Sequence, residues 1–153
     1  MKKALITVAL LCSGALFNQA AQANAFVNGE DAVSYRQAAF QTIRFNLVDI
    51  NDMFRGNVPY DLERVQRRAE ALATLTQLPW EAFSIPGADH ASGKVKAALW
   101  QNLDDFNQRG EKFAADAAAL YEAAQGGDRR AIQGAFREFA NNCKACHDNY
   151  RAD

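Results

Sequence analysis

From Val33 to Phe54 the residues Val33, Arg36, Phe40, Ile43, Leu47, Ile50 and Phe54 recur at alternating spacings of three and four. On an α-helix that rhythm lines a single face, so the segment predicts a rod with one seam to bury against other rods. Arg36 is the only charge in the seam. Gly56 and Pro59 stop this rod, and Asp61 is placed to cap a second one carrying Leu62, Val65, Ala69, Leu72 and Leu75, which Pro79 ends. A loop rich in Pro, Gly, Ser and Asp follows from Trp80 to about Gly93. Lys96, Leu99, Leu103, Phe106, Gly110, Phe113, Ala117, Leu120 and Ala124 then form a third seam, with Lys96 as its charged exception. Gly126-Gly127 closes that helix, and Asp128 caps a fourth whose inward positions are Ile132, Phe136, Phe139, Cys143, Cys146 and Tyr150.

Sustained alternation of β-branched residues is absent from the sequence, and short connectors join the first helix to the second and the third to the fourth. The expected fold is all-α, an antiparallel up-and-down four-helix bundle. At about 1.5 Å rise per residue, segments of roughly 20 to 25 residues give rods of about 30 to 38 Å, long enough to enclose a cofactor near one end.

Residues 1–23 stand apart from this pattern. Lys2 and Lys3 precede an apolar run from Ala4 to Phe17, and Ala21-Gln22-Ala23 supplies small residues for cleavage. The segment reads as a secretory signal peptide, leaving residues 24–153 as one bundle domain released into the periplasm with no membrane attachment. Cys12 lies inside the apolar run without the small residue that lipoprotein processing needs before it. Seventeen basic residues balance eighteen acidic ones, so the broad positive field of a nucleic-acid binder is missing.

Beyond Cys12, the cysteines are Cys143 and Cys146, within Cys143-Lys144-Ala145-Cys146-His147. This is the C-x-x-C-H attachment signature of a c-type haem. On a helix, sulfurs at i and i+3 reach the two vinyl groups along one porphyrin edge, while an imidazole at i+4 projects from the same face toward the iron. Two thioethers from Cys143 and Cys146 and an axial bond from His147 are thus expected to hold one covalent haem c. A structural zinc site needs four ligands, and only His90 lies beyond this cluster to supply one in the mature chain. A thioredoxin-like pair needs a βαβ setting that the pattern lacks. Chance occurrence is disfavoured by the inward placement of both cysteines.

The sixth position on the iron separates an electron carrier from a gas-binding protein. Met53, at the far end of the first helix, and His90, in the central loop, are the two candidates to close it; packing and solvation are the competing explanations of each. An open, five-coordinate iron is the first expectation. A low-spin electron-transfer cytochrome ligated by His90 or Met53 is the alternative.

The sequence resembles the cytochrome c′ family of class II c-type cytochromes. The likeness runs through Asp31-Ala32-Val33-Ser34-Tyr35-Arg36-Gln37, Leu78-Pro79-Trp80-Glu81-Ala82-Phe83 and Cys143-Lys144-Ala145-Cys146-His147-Asp148-Asn149-Tyr150-Arg151. The resemblance implies that Phe40 lies over the vacant distal face, that Arg36 and Gln37 meet the haem propionates, and that Arg151 stands beside the proximal imidazole. Lys96 is a weaker candidate for the same edge, since the loop before it departs in length. Arg36 with its head in water, and Arg151 as a solvated C-terminal arginine, remain the alternatives.

The resemblance further implies a high-spin haem protein that transfers electrons and binds nitric oxide or carbon monoxide while excluding dioxygen. Redox proteins would be its partners, and it would pair as a homodimer through the first two helices, where Val48 and Val58 read as exposed apolar residues. Trp80, Phe83 and Trp100 read as packing around the haem edge, and Asp104, Asp105, Glu111 and Asp116 as a solvated helix face. No catalytic triad, phosphate loop or carboxylate pair accompanies the haem motif, so the chain reads as a non-enzyme.

Overall fold

The computed structural model describes residues 25–90 and 93–152. The signal-peptide reading and Cys12 therefore fall outside the described residues. Helix α1 spans Gly29–Arg55; Asn28 caps it by accepting the Asp31 amide at 2.8 Å, and Glu30 and Asp31 complement the positive end of its dipole. Its far end closes at Gly56, whose φ of 77° is the left-handed conformation that glycine adopts at no steric cost.

Asp61 caps α2 (Leu62–Leu75) through the Arg64 amide at 3.1 Å. The helix stops at Leu75, four residues before Pro79, which was expected to end it. The freed carbonyls are taken up locally: Leu78 and Gln77 amides donate back to Leu75 and Thr74, and the Trp80 indole Nε1 donates to the Thr76 carbonyl at 2.6 Å. Within the central loop, Glu81–Phe83 forms one 3-10 turn.

The third seam is broken in two. A single turn, α3 (Ala98–Gln101), is separated from α4 (Leu103–Gly126) by Asn102, whose φ of −137° and ψ of 48° leave the helix while its side chain donates to the Ala98 carbonyl at 2.8 Å. The break resets the helical phase, so Leu103 is 48% exposed, contrary to its expected inward position. Lys96 is not helical either: it lies in a segment paired with the chain's end, its amide donating to the Tyr150 carbonyl at 2.9 Å beside an isolated Val95–Arg151 bridge. Asp128 caps α5 (Arg129–Tyr150) through the Ala131 amide at 2.8 Å.

Helices α1, α2, α4 and α5 pack as an all-α bundle in which α4 lies against α2 and α5, and α2 against α1. The core is built from the predicted seams: Ile50, Val65, Leu72, Leu120, Ile132 and Phe139 are fully buried. Val58, read as exposed, packs partly buried against this core because the α1–α2 turn folds back over it. Helices α1 and α5 meet at one end, where Phe54 sits edge-on to Phe136 at 5.5 Å. Toward the N-terminus of α1 and the C-terminus of α5 they part around a cavity. Seam residues Phe40 and Leu47 are half-buried there, not enclosed, because they border that space.

Candidate functional site

The cavity has a volume of about 860 Å³, within the range of about 300 to 1,000 Å³ that small-molecule and cofactor sites occupy. Helix α1 contributes Arg36, Gln37 and Phe40; helix α5 contributes Cys143, Cys146 and His147, with Arg151 just beyond its end. Seven of the eight predicted site residues thus come together, although α1 and α5 stand at opposite ends of the sequence. Lys96 is the exception. It lines a separate, smaller cavity of about 440 Å³ with His147, Asp148 and Arg151, and its Nζ donates to the Asp148 carbonyl at 2.9 Å.

Arg36 is 3% exposed, a position no guanidinium tolerates without partners. Its Nη2 donates to the Ala88 carbonyl at 3.3 Å and its charge lies over the Phe83 ring at 4.5 Å, yet Nη1 is buried with no hydrogen-bond partner. Burial pushes its pKa below the usual arginine value. An orphaned donor on a buried cation beside a large cavity fits an anionic group such as a haem propionate. The central loop is held in place to provide this setting by a close approach at Gly29, where any Cβ would stand 2.5 Å from the Gly87 carbonyl group.

Phe40 meets Trp80 and Phe83 edge-on, with centroids 6.1 and 6.4 Å away. Trp80 in turn rests on Phe106 and Phe113 and lies against Gly110, where an added Cβ would come within 3.0–3.1 Å of the indole. Trp80, Phe83 and Trp100 thus pack ring against ring in one run, and Trp80 and Phe83 brace Phe40 at the cavity wall.

Both cysteines are half-buried and unpaired by any disulfide. Burial pushes the Cys143 thiol up to about 12, and raises Cys146 in the same direction, so neither is a reactive thiolate. Partial burial and the neighbouring Arg151 cation lower the His147 pKa, which favours the neutral imidazole that a metal ligand requires. The other candidates for an axial bond stand elsewhere. Met53 is fully buried in the main core, and His90 is 87% exposed beside Asp89; neither lines the cavity.

Sequence reasoning missed Lys94, Arg109 and Asn142 on the cavity wall. Lys94 arrives there only through the pairing of its segment with the chain's end. Two acids read as a solvated face also do more. Asp105 accepts from the Tyr150 hydroxyl and from Arg109 at 2.6 Å, which hold its pKa below the usual carboxylate range; Asp116 is half-buried, pairing with Lys112 at 2.9 Å and accepting from Asn142 at 3.1 Å. Gly110 carried the one available signal, a glycine at an inward seam position, which marks a close approach.

A sequence model of the family described as Cytochrome C' matches residues 31–151. The chain belongs to the cytochrome c′ family. The cytochrome c′ of Alcaligenes xylosoxydans is 35% identical over 126 residues, covering 82% of this chain and 97% of the relative. The structure of cytochrome c prime from Shewanella frigidimarina superposes with a TM-score of 0.80 at 38% identity, covering 84% of this chain and 99% of that one. A nitric oxide complex of a variant of the Alcaligenes xylosoxidans protein matches with a TM-score of 0.77 at 34% identity, covering 84% and 99%. Like other cytochromes c′, this chain is a non-enzymatic haem protein carrying one covalent haem c.

Proposed function

We propose that the haem of this cytochrome c′ is held by thioether bonds from Cys143 and Cys146 and an axial bond from His147, in a periplasmic protein whose residues 1–23 are removed on export. Among the described residues the cavity wall contains one histidine and no methionine, and that observation carries the reading of a five-coordinate, high-spin iron. When bound, the haem supplies an iron that exchanges one electron and accepts a diatomic ligand. Arg36 and Gln37 hold the propionate edge, Arg36 with the donor it has to spare. Phe40, braced by Trp80 and Phe83, restricts the distal side and offers no hydrogen bond, which disfavours bound dioxygen and leaves nitric oxide and carbon monoxide as ligands. Arg151 stands near the proximal imidazole and adds to the effect of burial in lowering its pKa, which favours the neutral ring. Nitric oxide complexes of the Alcaligenes relative support the same ligand class here. Phe45 and Val48, exposed on α1, suit the pairing face of a homodimer.

The ferrous protein tests this. A broad high-spin spectrum that shifts on adding carbon monoxide is expected; a sharp α band insensitive to the gas would refute the open site. Phe40→Ala is expected to speed carbon monoxide association by about tenfold or more, equivalent to about 1.4 kcal/mol off the barrier. An unchanged association rate would show that Phe40 is not the gate.

A further inference from the structure

The haem site leaves the smaller cavity, of about 440 Å³, without a role, although its volume is that of a small-molecule site. Its lining is of one chemical kind. Lys94, Lys96 and Arg151 supply three cations, and His147, Asp148 and Ala152 complete the wall. No phenyl, indole or branched aliphatic side chain is there to grip a base or an acyl chain.

The charge in this cavity is unbalanced. Its one carboxylate, on Asp148, is taken from outside by Lys144 at 2.5 Å. Lys94, Lys96 and Arg151 make no ion pair among the described residues, and the Lys96 ammonium reaches only a carbonyl, that of Asp148. The backbones that carry these cations are fixed. The Lys96 amide donates to the Tyr150 carbonyl at 2.9 Å, the Ala152 amide to Lys94 at 3.3 Å and the Arg151 amide to His147 at 3.0 Å. Two distant stretches of chain thus anchor the cations at set spacing, which lowers the ordering cost of binding. The chain carries a formal charge of −1, so it has no general attraction for anions and any affinity has to come from a local arrangement.

We propose that the smaller cavity binds a small polyvalent anion carrying two or more phosphate or carboxylate groups. The planar fork of Arg151 takes a pair of oxygens from one acid group, while Lys94 and Lys96 meet the next as point charges. A singly charged anion answers only one of the three cations. The inference stands on this cavity alone and does not depend on the haem assignment.

Isothermal titration calorimetry of the haem-loaded protein at low ionic strength tests it, with pyrophosphate and citrate as separate probes and acetate as the singly charged control. Pyrophosphate or citrate is expected to saturate at one anion per chain, and the tighter of the two names the acid group selected. Acetate should give no saturable heat. The exposed pair Lys94→Gln/Lys96→Gln should weaken binding about tenfold or more. Arg55→Gln/Arg130→Gln removes the same charge from the far end of the bundle and should bind as the parent does. Bound anion should also shield Lys94 and Lys96 from acetic anhydride, read by mass spectrometry, and leave the exposed Lys112 as reactive as before. Heats that never saturate, acetate binding as tightly, equal losses in the two double variants, or equal shielding at Lys112 would each reduce the effect to general screening and overturn the site. Protein recovered without covalent haem would overturn the haem reading, and the same binding readouts would still decide the anion site.

Discussion

Replacing Arg36 with methionine asks whether the buried guanidinium has an anion to answer. Methionine keeps the length of the stem and removes the charge. The cation over Phe83 at 4.5 Å contributes about 0.5 to 2 kcal/mol, and the bond to the Ala88 carbonyl about 1.5 to 3 kcal/mol; relief of desolvation offsets much of both. The term that decides is the ion pair, because a partly enclosed carboxylate left without its cation costs about 3 to 5 kcal/mol. A net loss of about 3 kcal/mol is expected in the holoprotein. With a urea dependence of about 2 kcal/mol per molar, the midpoint falls by about 1.5 M, read by circular dichroism and by the haem absorption together. Arg36→Lys keeps the charge without the planar fork and should lose about half as much. The reduction potential should also move down, since losing a cation favours the ferric state. An Arg36→Met midpoint within about 0.3 M of the parent would show that Nη1 answers no buried anion and that the arginine is merely packed.

Two further perturbations test the scaffold. Gly110→Ala places a methyl within 3.0–3.1 Å of the Trp80 ring and is expected to cost about 1 to 3 kcal/mol, lowering Tm; an unchanged Tm would mean that Trp80 moves without penalty. Asp49 bonds Arg64 and, at 2.7 Å, Arg68 across the α1–α2 interface, and the Arg64 bond leads the interactions that hold its pKa below the usual range. A depressed folded pKa gives stability that is present above the unfolded value of about 3.9 and is lost as pH falls through the folded one. Asp49→Asn should therefore lower the urea midpoint at pH 7 and narrow the gap to its parent below about pH 4; an equal gap at both pH values would contradict the assignment.

The sequence by itself determined the bundle, the helix caps at Asp61 and Asp128, and the haem motif, because each depends on spacing along one strand of chain. Periodicity fixes which face of a rod is apolar, a cap needs only a side-chain oxygen and the backbone amide three residues on, and C-x-x-C-H acts within a turn and a half of helix. Arg36 was legible for the same reason, as one charge in an otherwise apolar seam. Its orphaned Nη1 was not, since that follows from Ala88 and Phe83 arriving from a distant loop. The break at Asn102 was equally hidden: the three-and-four rhythm runs straight through it, and only the fit of Leu99 and Phe106 beside Tyr150 accommodates the interruption.

Tertiary structure alone kept both spare ligand candidates off the cavity wall, by burying Met53 in the core and leaving His90 in solvent. It also brought Arg36, Lys94 and Arg151 to one cavity wall, from α1, the segment before α3 and the end of α5. Charge clusters of that kind carry no periodic signature, because they are assembled by packing between helices and not by the geometry of any one of them.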